Sequence, residues 1–257
     1  MKSSNNNIRE IYIYLYFEKG VIDNVVFDKL IDNINTNLSK LSSFGASEPF
    51  KYQFPINRNK LFLLYSENFD FFLSGDQNSL IHVSFIPDQN ITIWTIKISL
   101  KEAKNTDKLL TFITQTIDII PIIYGFICSK EEFDFKHKLV TRLKSGGTAT
   151  KYVGITKWDF LDFFPGLYSL NIWSNYAFDL DKIKSKIENT VKIIPYKNQL
   201  IAEVNNVFSN DITINNSIQN EISKLIGEKD FFFKSDNQDL FDHAKKFKDY
   251  LSKMKSD

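Results

Sequence analysis

The sequence predicts an α+β fold, built as two packed halves with largely antiparallel sheets covered by amphipathic helices. Apolar side chains alternate with tyrosines over residues 11–17, which is the period-2 pattern of a strand. The segments "IHVSFI" and "ITIWTIKISL" flank a short turn at 87–90, which predicts an antiparallel hairpin. Further segments repeat apolar residues at i and i+4, the pattern of a helix with one buried face.

The first part of the chain alternates strands with helices. The strand at 11–17 has a second face made of tyrosines, so we expect both of its faces to be covered. The elements predicted after it are, in order, a helix capped by Asp23 or Asn24 with the stripe Val26, Leu30, Ile34, Leu38 and Leu41, short strands at 52–54 and 61–65, the hairpin, a helix opened by Thr106 and Asp107 and stopped by Pro121, and a strand at 122–127.

A glycine-containing loop marks the boundary between the two halves. The stretch "KSGGTAT" at 144–150 has the backbone freedom and polar composition of a connecting segment. We therefore divide the chain into an N-terminal α+β half at 1–143 and a C-terminal α+β half at 144–257. Whether they fold as separate domains or as one continuous domain is left open by the pattern.

The second half contains the same kinds of element. They are, in order, a short helix capped by Thr156 and Asp159 and ended by Pro165-Gly166, a strand at 167–174, a helix capped by Asp179, a strand at 199–204, a helix from Ser217 to Gly227, and a last helix at 240–251. Each predicted helix carries one apolar stripe, so we expect it to lie on a sheet.

Composition and charge exclude several classes of protein. The 257 residues include 32 Lys and Arg against 31 Asp and Glu, a net charge of +1, so no overall field attracts nucleic acid or an anionic membrane. Only Arg9, Arg58 and Arg142 supply the guanidinium group best suited to phosphate and base contacts. The N-terminus reads as a strand rather than a signal peptide, and no apolar run spans a bilayer. With the single Cys128, these features predict a cytoplasmic protein without a nucleic-acid or membrane partner.

The sequence contains no recognisable catalytic, metal or phosphate motif. The Gly pair at 146–147 lacks the spacing and the terminal Lys of a phosphate-binding loop, and His82, His137 and His243 are dispersed. Cys128 precedes a predicted helix start, where a thiolate is stabilised, but it lacks a nearby His or Asn partner. We therefore predict no cofactor and no metal. The acidic pairs Asp159/Asp162 and Asp179/Asp181 are best explained as helix caps and first-turn acids.

Two aromatic segments resemble the immunity protein 52 family. They are "GITKWDFLDFFPGLYSL" and, near the C-terminus, "LIGEKDFFFKSDN". The resemblance covers roughly the second half of the chain. It implies a bacterial cytoplasmic immunity protein of a polymorphic toxin or type VI secretion system, which neutralises a cognate toxin by binding it and performs no catalysis.

The short aromatic helix is the predicted partner-binding region. Trp158, Leu161 and Phe164 are assigned to the core, because large apolar patches are seldom left exposed. Asp159, Asp162 and Tyr168 are assigned to the partner-binding surface. Two alternatives remain at this point: an enzyme with a site assembled from distant residues such as His82, Cys128 and Glu203, or a structural or regulatory module of a bacterial defence system.

Overall fold

A large antiparallel sheet organises the fold. The computed structural model describes residues 10–68, 70–86, 90–103, 105–142, 146–156, 159, 164–175, 178–209 and 212–227, the last range without the side chains of 212–215. The strands are β1 (Glu10–Glu18), β2 (Leu41–Gly45), β3 (Tyr52–Gln53), β4 (Asp70–Gly75), β5 (Leu80–Ile86), β6 (Ile91–Ser99), β7 (Tyr124–Ser129), β8 (Lys138–Arg142), β9 (Thr148–Tyr152), β10 (Leu170–Ser174), β11 (Lys192–Tyr196) and β12 (Gln199–Glu203). Ten of them form one sheet in the order β11-β12-β10-β7-β1-β6-β5-β4-β2-β3, with every neighbouring pair antiparallel, and β8 and β9 pair in a separate ribbon.

Helices lie on both faces of this sheet. They are α1 (Asn24–Asn37), α2 (Leu61–Glu67), α3 (Leu100–Ala103), α4 (Thr106–Ile119), α5 (Lys130–His137), α6 (Leu180–Ile187) and α7 (Ile212–Ile226). The first face, which carries Ile13 of β1, packs against α1, α2 and α4. The second face, which carries Tyr14 of β1, packs against α5, α6 and α7. The α+β class with antiparallel sheet and amphipathic helices is therefore confirmed.

Strand β1 is the central element of the large sheet. Its first-face side chains Ile11, Ile13, Leu15 and Phe17 are at most 1% exposed. It pairs with β6 on one side, Ile13 opposite Ile96, and with β7 on the other, Ile13 opposite Ile127. The alternation of residues 11–17 thus predicts the strand and its buried first face, as observed, whereas on the second face Tyr16 is buried and Tyr12 and Tyr14 are half-buried.

The large sheet contains strands from both predicted halves. β10, which follows the predicted boundary at 143/144, pairs with β7, which precedes it, with Leu170 opposite Ile127. The boundary itself falls in the connection between β8 and β9, where Gly146 and Gly147 are exposed. The hydrophobic layers on each face continue across this junction, since Leu170 and Ile127 belong to one buried cluster.

The predicted helix caps are largely confirmed. Asp23 accepts a hydrogen bond from the Val26 backbone N–H at 2.8 Å, and Asp179 accepts one from Lys182 N–H at 3.0 Å. Helix α4 begins as predicted, although its cap is Asn105, whose side chain accepts from Lys108 N–H at 2.9 Å. The predicted helix at 240–251 lies outside the described residues.

One predicted strand is wrong. Residues 61–65 form the start of α2, because Leu61 and Tyr65 are buried together on one side while Leu63 between them is 53% exposed. A short apolar run fits either a strand or one buried turn of helix, so its sequence period does not separate the two. The neighbouring strands β2 and β4 and the edge strand β11 were not predicted, since none of them shows a clear alternation.

Gly75, at the end of β4, provides a test of packing. A Cβ atom there would lie 2.7 Å from the Lys40 carbonyl oxygen, 2.7 Å from Ser39 Oγ and 2.6 Å from Ser79 Oγ. Gly75→Ala should therefore lower the free energy of unfolding by about 1–3 kcal/mol, because the backbone must shift to relieve the contact. Urea denaturation measures the change. The control is Gly147→Ala, where nothing lies within 4 Å of the new atom, so an equal loss in both variants would contradict the packing explanation.

Candidate functional site

Asp159, one of the predicted partner-binding residues, acts as a local cap. Its Oδ2 accepts hydrogen bonds from the backbone N–H groups of Thr156 at 2.9 Å and Ile155 at 3.1 Å, and from Thr156 Oγ1 at 2.8 Å. The Asp159 N–H in turn donates to Thr156 Oγ1 at 3.2 Å. This reciprocal pattern is the capping arrangement predicted from the Thr156/Asp159 spacing. Asp162 lies outside the described residues, as do the predicted core residues Trp158 and Leu161.

Tyr168 is a core residue, which corrects its assignment to the partner-binding surface. The side chain is fully buried, and its ring stacks on Phe126 with centroids 3.6 Å apart. Its hydroxyl lies 2.6 Å from His137 Nε2 and 3.1 Å from the Pro165 carbonyl oxygen. A tyrosine held on both its ring and its hydroxyl has no surface to offer a partner. Phe164, predicted as core, is only 6% exposed.

The structure does not bring together His82, Cys128 and Glu203, the residues predicted for the enzyme alternative. Cys128 and His82 both point to the second face, but β7 and β5 are separated by β1 and β6, about 14 Å at the usual strand spacing. Glu203 points to the first face, like its partner Leu170, and forms an ion pair with Lys192 at 3.0 Å. Burial also raises the pKa of the Cys128 thiol, the opposite of what a nucleophilic cysteine requires.

His137 is a structural histidine between α5 and β9. Its Nδ1 lies 2.7 Å from the Val153 carbonyl oxygen, and since a carbonyl only accepts, Nδ1 carries the proton. The Nε2 atom lies 2.6 Å from the Tyr168 hydroxyl oxygen, which itself lies 3.1 Å from the Pro165 carbonyl oxygen. His243 lies outside the described residues. Among the residues that are described, no three His, Cys, Asp or Glu side chains are grouped as metal ligands.

A buried set of hydrogen-bonded side chains ties α5 and α7 to the loops beside the sheet. We call Glu132, Ser169, Asn205 and Gln219 the polar core cluster. Ser169 Oγ donates to Glu132 Oε2 at 2.5 Å, and Gln219 Nε2 donates to Glu132 Oε1 at 2.7 Å and to Asn205 Oδ1 at 3.2 Å. Glu132 is 2% exposed. The sequence gives little sign of this cluster, because its members lie far apart along the chain.

Burial determines the charge behaviour of Glu132. Desolvation raises the pKa of its carboxyl group, while the ammonium of Lys136 and the hydrogen bonds from Ser169 and Gln219 act in the opposite direction and only partly offset it. Lys136 itself has a lowered pKa, again because of burial. Glu132 and Lys136 belong to α5, and the hydrogen bonds of Glu132 join this helix to Ser169 and to Gln219 of α7.

The second face of the sheet has a part with half-buried side chains, which sequence reasoning did not identify as a site. In the described residues, α5 packs over β1 and β7, where its Phe133 ring lies 4.9 Å from that of Tyr12 and 5.5 Å from that of Tyr14 between centroids, and α6 packs over β12. The open sheet face is our name for six half-buried second-face residues on the four neighbouring strands β1, β6, β5 and β4: Tyr12, Tyr14, Phe72, His82, Thr95 and Lys97. It is about 14 Å wide from β1 to β4 at the usual strand spacing.

A row of residues crosses the open sheet face in register. Tyr14 lies opposite Thr95, Thr95 opposite His82, and His82 opposite Phe72. The His82 ring stacks on Phe72 with centroids 4.5 Å apart, and Tyr14 stacks on Phe126 at 4.7 Å. The row therefore continues into the core on the β7 side, which fixes the orientation of its aromatic rings.

Charged groups border this row. Lys97 Nζ lies 2.8 Å from Glu10 Oε1, and His82 Nε2 lies 3.0 Å from Asp70 Oδ1. Burial raises the pKa of the Tyr12 hydroxyl and that of the Tyr14 hydroxyl, which also hydrogen-bonds Thr95. The open sheet face thus combines aromatic rings, hydroxyl groups, one Lys–Glu ion pair and one His–Asp hydrogen bond on rigid strands. In the ranges that the structure describes, no helix is long and apolar enough to cross a membrane.

Comparison with known proteins shows a shared fold. No family model matches the chain, and no curated protein matches it by sequence. Among solved structures it is similar to the Pseudomonas aeruginosa type VI secretion system (T6SS) protein PA0821, with a TM-score of 0.56 and 10% identity over 95% of this chain and 84% of that one. The resemblance to the immunity protein 52 family therefore stays a prediction.

The polar core cluster predicts a difference between two variants of Glu132. Glu132→Ala should lower the free energy of unfolding by about 1–3 kcal/mol, because Ser169 and Gln219 lose a buried acceptor. Glu132→Gln keeps the size and one acceptor, so it should lose less. Urea denaturation at fixed pH measures both. Equal losses would show that the hydrogen bonds contribute nothing.

A comparison of Glu132→Gln with the wild type also tests the raised pKa of Glu132. Because the pKa of the Glu132 carboxyl group is raised in the folded state, this group stabilises the fold at pH values below its ordinary pKa of 4.5. The contribution is lost as the pH rises through the folded-state pKa. The free energy of unfolding of Glu132→Gln should therefore increase relative to that of the wild type as the pH rises over this range. A difference that is independent of pH would contradict the assignment.

Proposed function

We propose that this protein binds and neutralises a cognate toxin of a type VI secretion system by contact and without catalysis. The observation that carries the proposal is the open sheet face, where Tyr12, Tyr14, Phe72 and His82 are half-buried beside the Lys97–Glu10 ion pair and Asp70. Tyrosine and other aromatic side chains surrounded by polar groups dominate the binding energy of protein interfaces.

The backbone under the open sheet face favours tight binding. Its side chains stand on strands that are paired on both sides, and the rings of Tyr14 and His82 are held by stacking on Phe126 and Phe72. Binding to such a surface orders few side chains, so less conformational entropy is lost on association. A surface of this kind suits an inhibitor that must hold its target closely.

The comparison with solved structures supports the secretion-system context. The chain shares its fold with a T6SS protein of P. aeruginosa over 95% of its length. The resemblance of "GITKWDFLDFFPGLYSL" and "LIGEKDFFFKSDN" to the immunity protein 52 family implies the same context and adds the toxin as partner. We propose that the protein acts in the bacterial cytoplasm, where binding to the product of an adjoining toxin gene would protect the producing cell.

Thr95→Arg tests this function at the centre of the open sheet face. Thr95 lies between Tyr14 and His82, so a long charged side chain there should hold a partner away from both aromatic residues. We expect the dissociation constant for the product of the adjoining toxin gene to rise by at least about tenfold, which corresponds to about 1.4 kcal/mol. Cells that co-express toxin and variant should stop growing, whereas the wild-type protein protects them.

The matched control is Thr111→Arg on α4. Thr111 is exposed on a helix that covers the first face, so the same substitution there should leave binding and protection unchanged. Urea denaturation verifies that both variants are folded. Full protection by Thr95→Arg would show that the interface lies outside the open sheet face. Failure of the wild-type protein to bind the toxin would contradict the proposed immunity function.

A further inference from the structure

The β8–β9 ribbon is an exposed feature that the fold does not explain. It consists of β8 and β9 in register, with Val140 opposite Thr150, and it is separate from the large sheet. All residues of β9 and the outer three residues of β8 are exposed, and Val140 is 59% exposed. A ribbon with both sides in solvent buries little apolar surface, so its sequence is not dictated by core packing.

The charge of the ribbon differs from that of the rest of the chain. Its two strands carry Lys138, Arg142 and Lys151 and no acidic residue, and Lys138 pairs with Asp134 of α5 at 3.5 Å. The chain as a whole has a net charge of +1, so the remainder is net acidic. The exposed Arg142 and Lys151 thus give the ribbon a local positive charge that favours an acidic partner.

The ribbon also offers strand edges. In the described residues β8 pairs with β9 and with no strand of the large sheet, so each strand has an edge outside the ladder. Such an edge is a template for a further strand. Basic side chains on it repel a second copy of the ribbon and favour an acidic segment, which argues against self-association.

The base of the ribbon is held rigidly. Val153 N–H donates to the His137 carbonyl oxygen at 3.0 Å, and the His137 ring bonds the Val153 carbonyl oxygen at 2.7 Å. The Tyr152 hydroxyl donates to Asp134 Oδ1 at 3.0 Å. These contacts orient the ribbon before any partner arrives, which reduces the entropy lost on binding.

The base of the ribbon adjoins the open sheet face. Phe133 of α5 contacts Tyr152 of β9 at 5.5 Å between ring centroids, and it contacts Tyr12 of β1 at 4.9 Å. One partner placed on the open sheet face therefore lies beside the ribbon as well.

We propose that the β8–β9 ribbon docks an extended acidic segment of a protein partner, which adds to it as a third strand. The proposal rests on the proposed function, since we assign this segment to the toxin. Backbone hydrogen bonds along the edge give affinity, and Arg142 and Lys151 select for acidic side chains. A nucleic acid or an anionic membrane would use the charges but not the strand edge.

The test compares two double charge reversals in the full chain. In Arg142→Glu with Lys151→Glu, the affinity for the product of the adjoining toxin gene should fall at least about tenfold at low ionic strength. The same variant should show a weaker dependence of affinity on salt than the wild type, because the screened attraction has been removed. The control, Lys29→Glu with Lys40→Glu, changes the same net charge at exposed positions on and after α1 and should bind as the wild type does.

A second measurement tests strand addition itself. Hydrogen exchange of the complex should show new protection of backbone amides in 138–142 or 148–152, which charge attraction alone does not produce. Unchanged affinity of the ribbon variant and no new protection, with Thr95→Arg still defective, would overturn this inference and leave the proposed function standing. Failure of the wild type to bind the toxin would overturn both. Ribbon-dependent binding to duplex DNA or phosphatidylglycerol vesicles in place of the toxin would also overturn it.

Discussion

The structure depends on one constraint: β1 carries apolar or aromatic side chains on both of its faces. A strand of this kind is stable only between two neighbouring strands and beneath cover on each side. The chain meets this requirement with β6 and β7 beside it, with α1, α2 and α4 on the first face, and with α5, α6 and α7 on the second. Strands from both ends of the chain then extend the same sheet, which makes β1 the common support of both predicted halves.

The helices on both faces are joined by buried polar side chains. On the first face Asn33 of α1 donates to Thr116 of α4, and on the second the polar core cluster places a buried carboxyl group, Glu132, between α5 and α7. Desolvation makes this group costly in its charged form, and its hydrogen bonds offset that cost only in one arrangement of the helices. The cluster therefore fixes the positions of α5 and α7 on the sheet. These positions determine where the helix-covered part of the second face ends.

That limit explains why the binding surface lies where we propose it. Beyond α5 the same sheet continues over β6, β5 and β4, and its aromatic and hydroxyl side chains become half-buried. The open sheet face is thus supported by the core directly behind it, through contacts such as Tyr14 on Phe126. Phe133 joins this surface to the base of the β8–β9 ribbon. A rigid aromatic face beside a basic ribbon suits the proposed capture of one protein partner.

The sequence by itself determined the elements whose signals are local. The alternation of residues 11–17 identified β1, the turn at 87–90 identified the β5–β6 hairpin, and Asp23 and Asp179 marked helix starts, because periodicity and capping act between residues close in the chain. Tertiary structure alone decided that residues 61–65 are helical, that Tyr168 is buried against Phe126 and His137, and that β10 joins β7. It also decided which tyrosines of β1 stay half-buried, because exposure depends on which distant helices cover each strand and no local pattern records that choice.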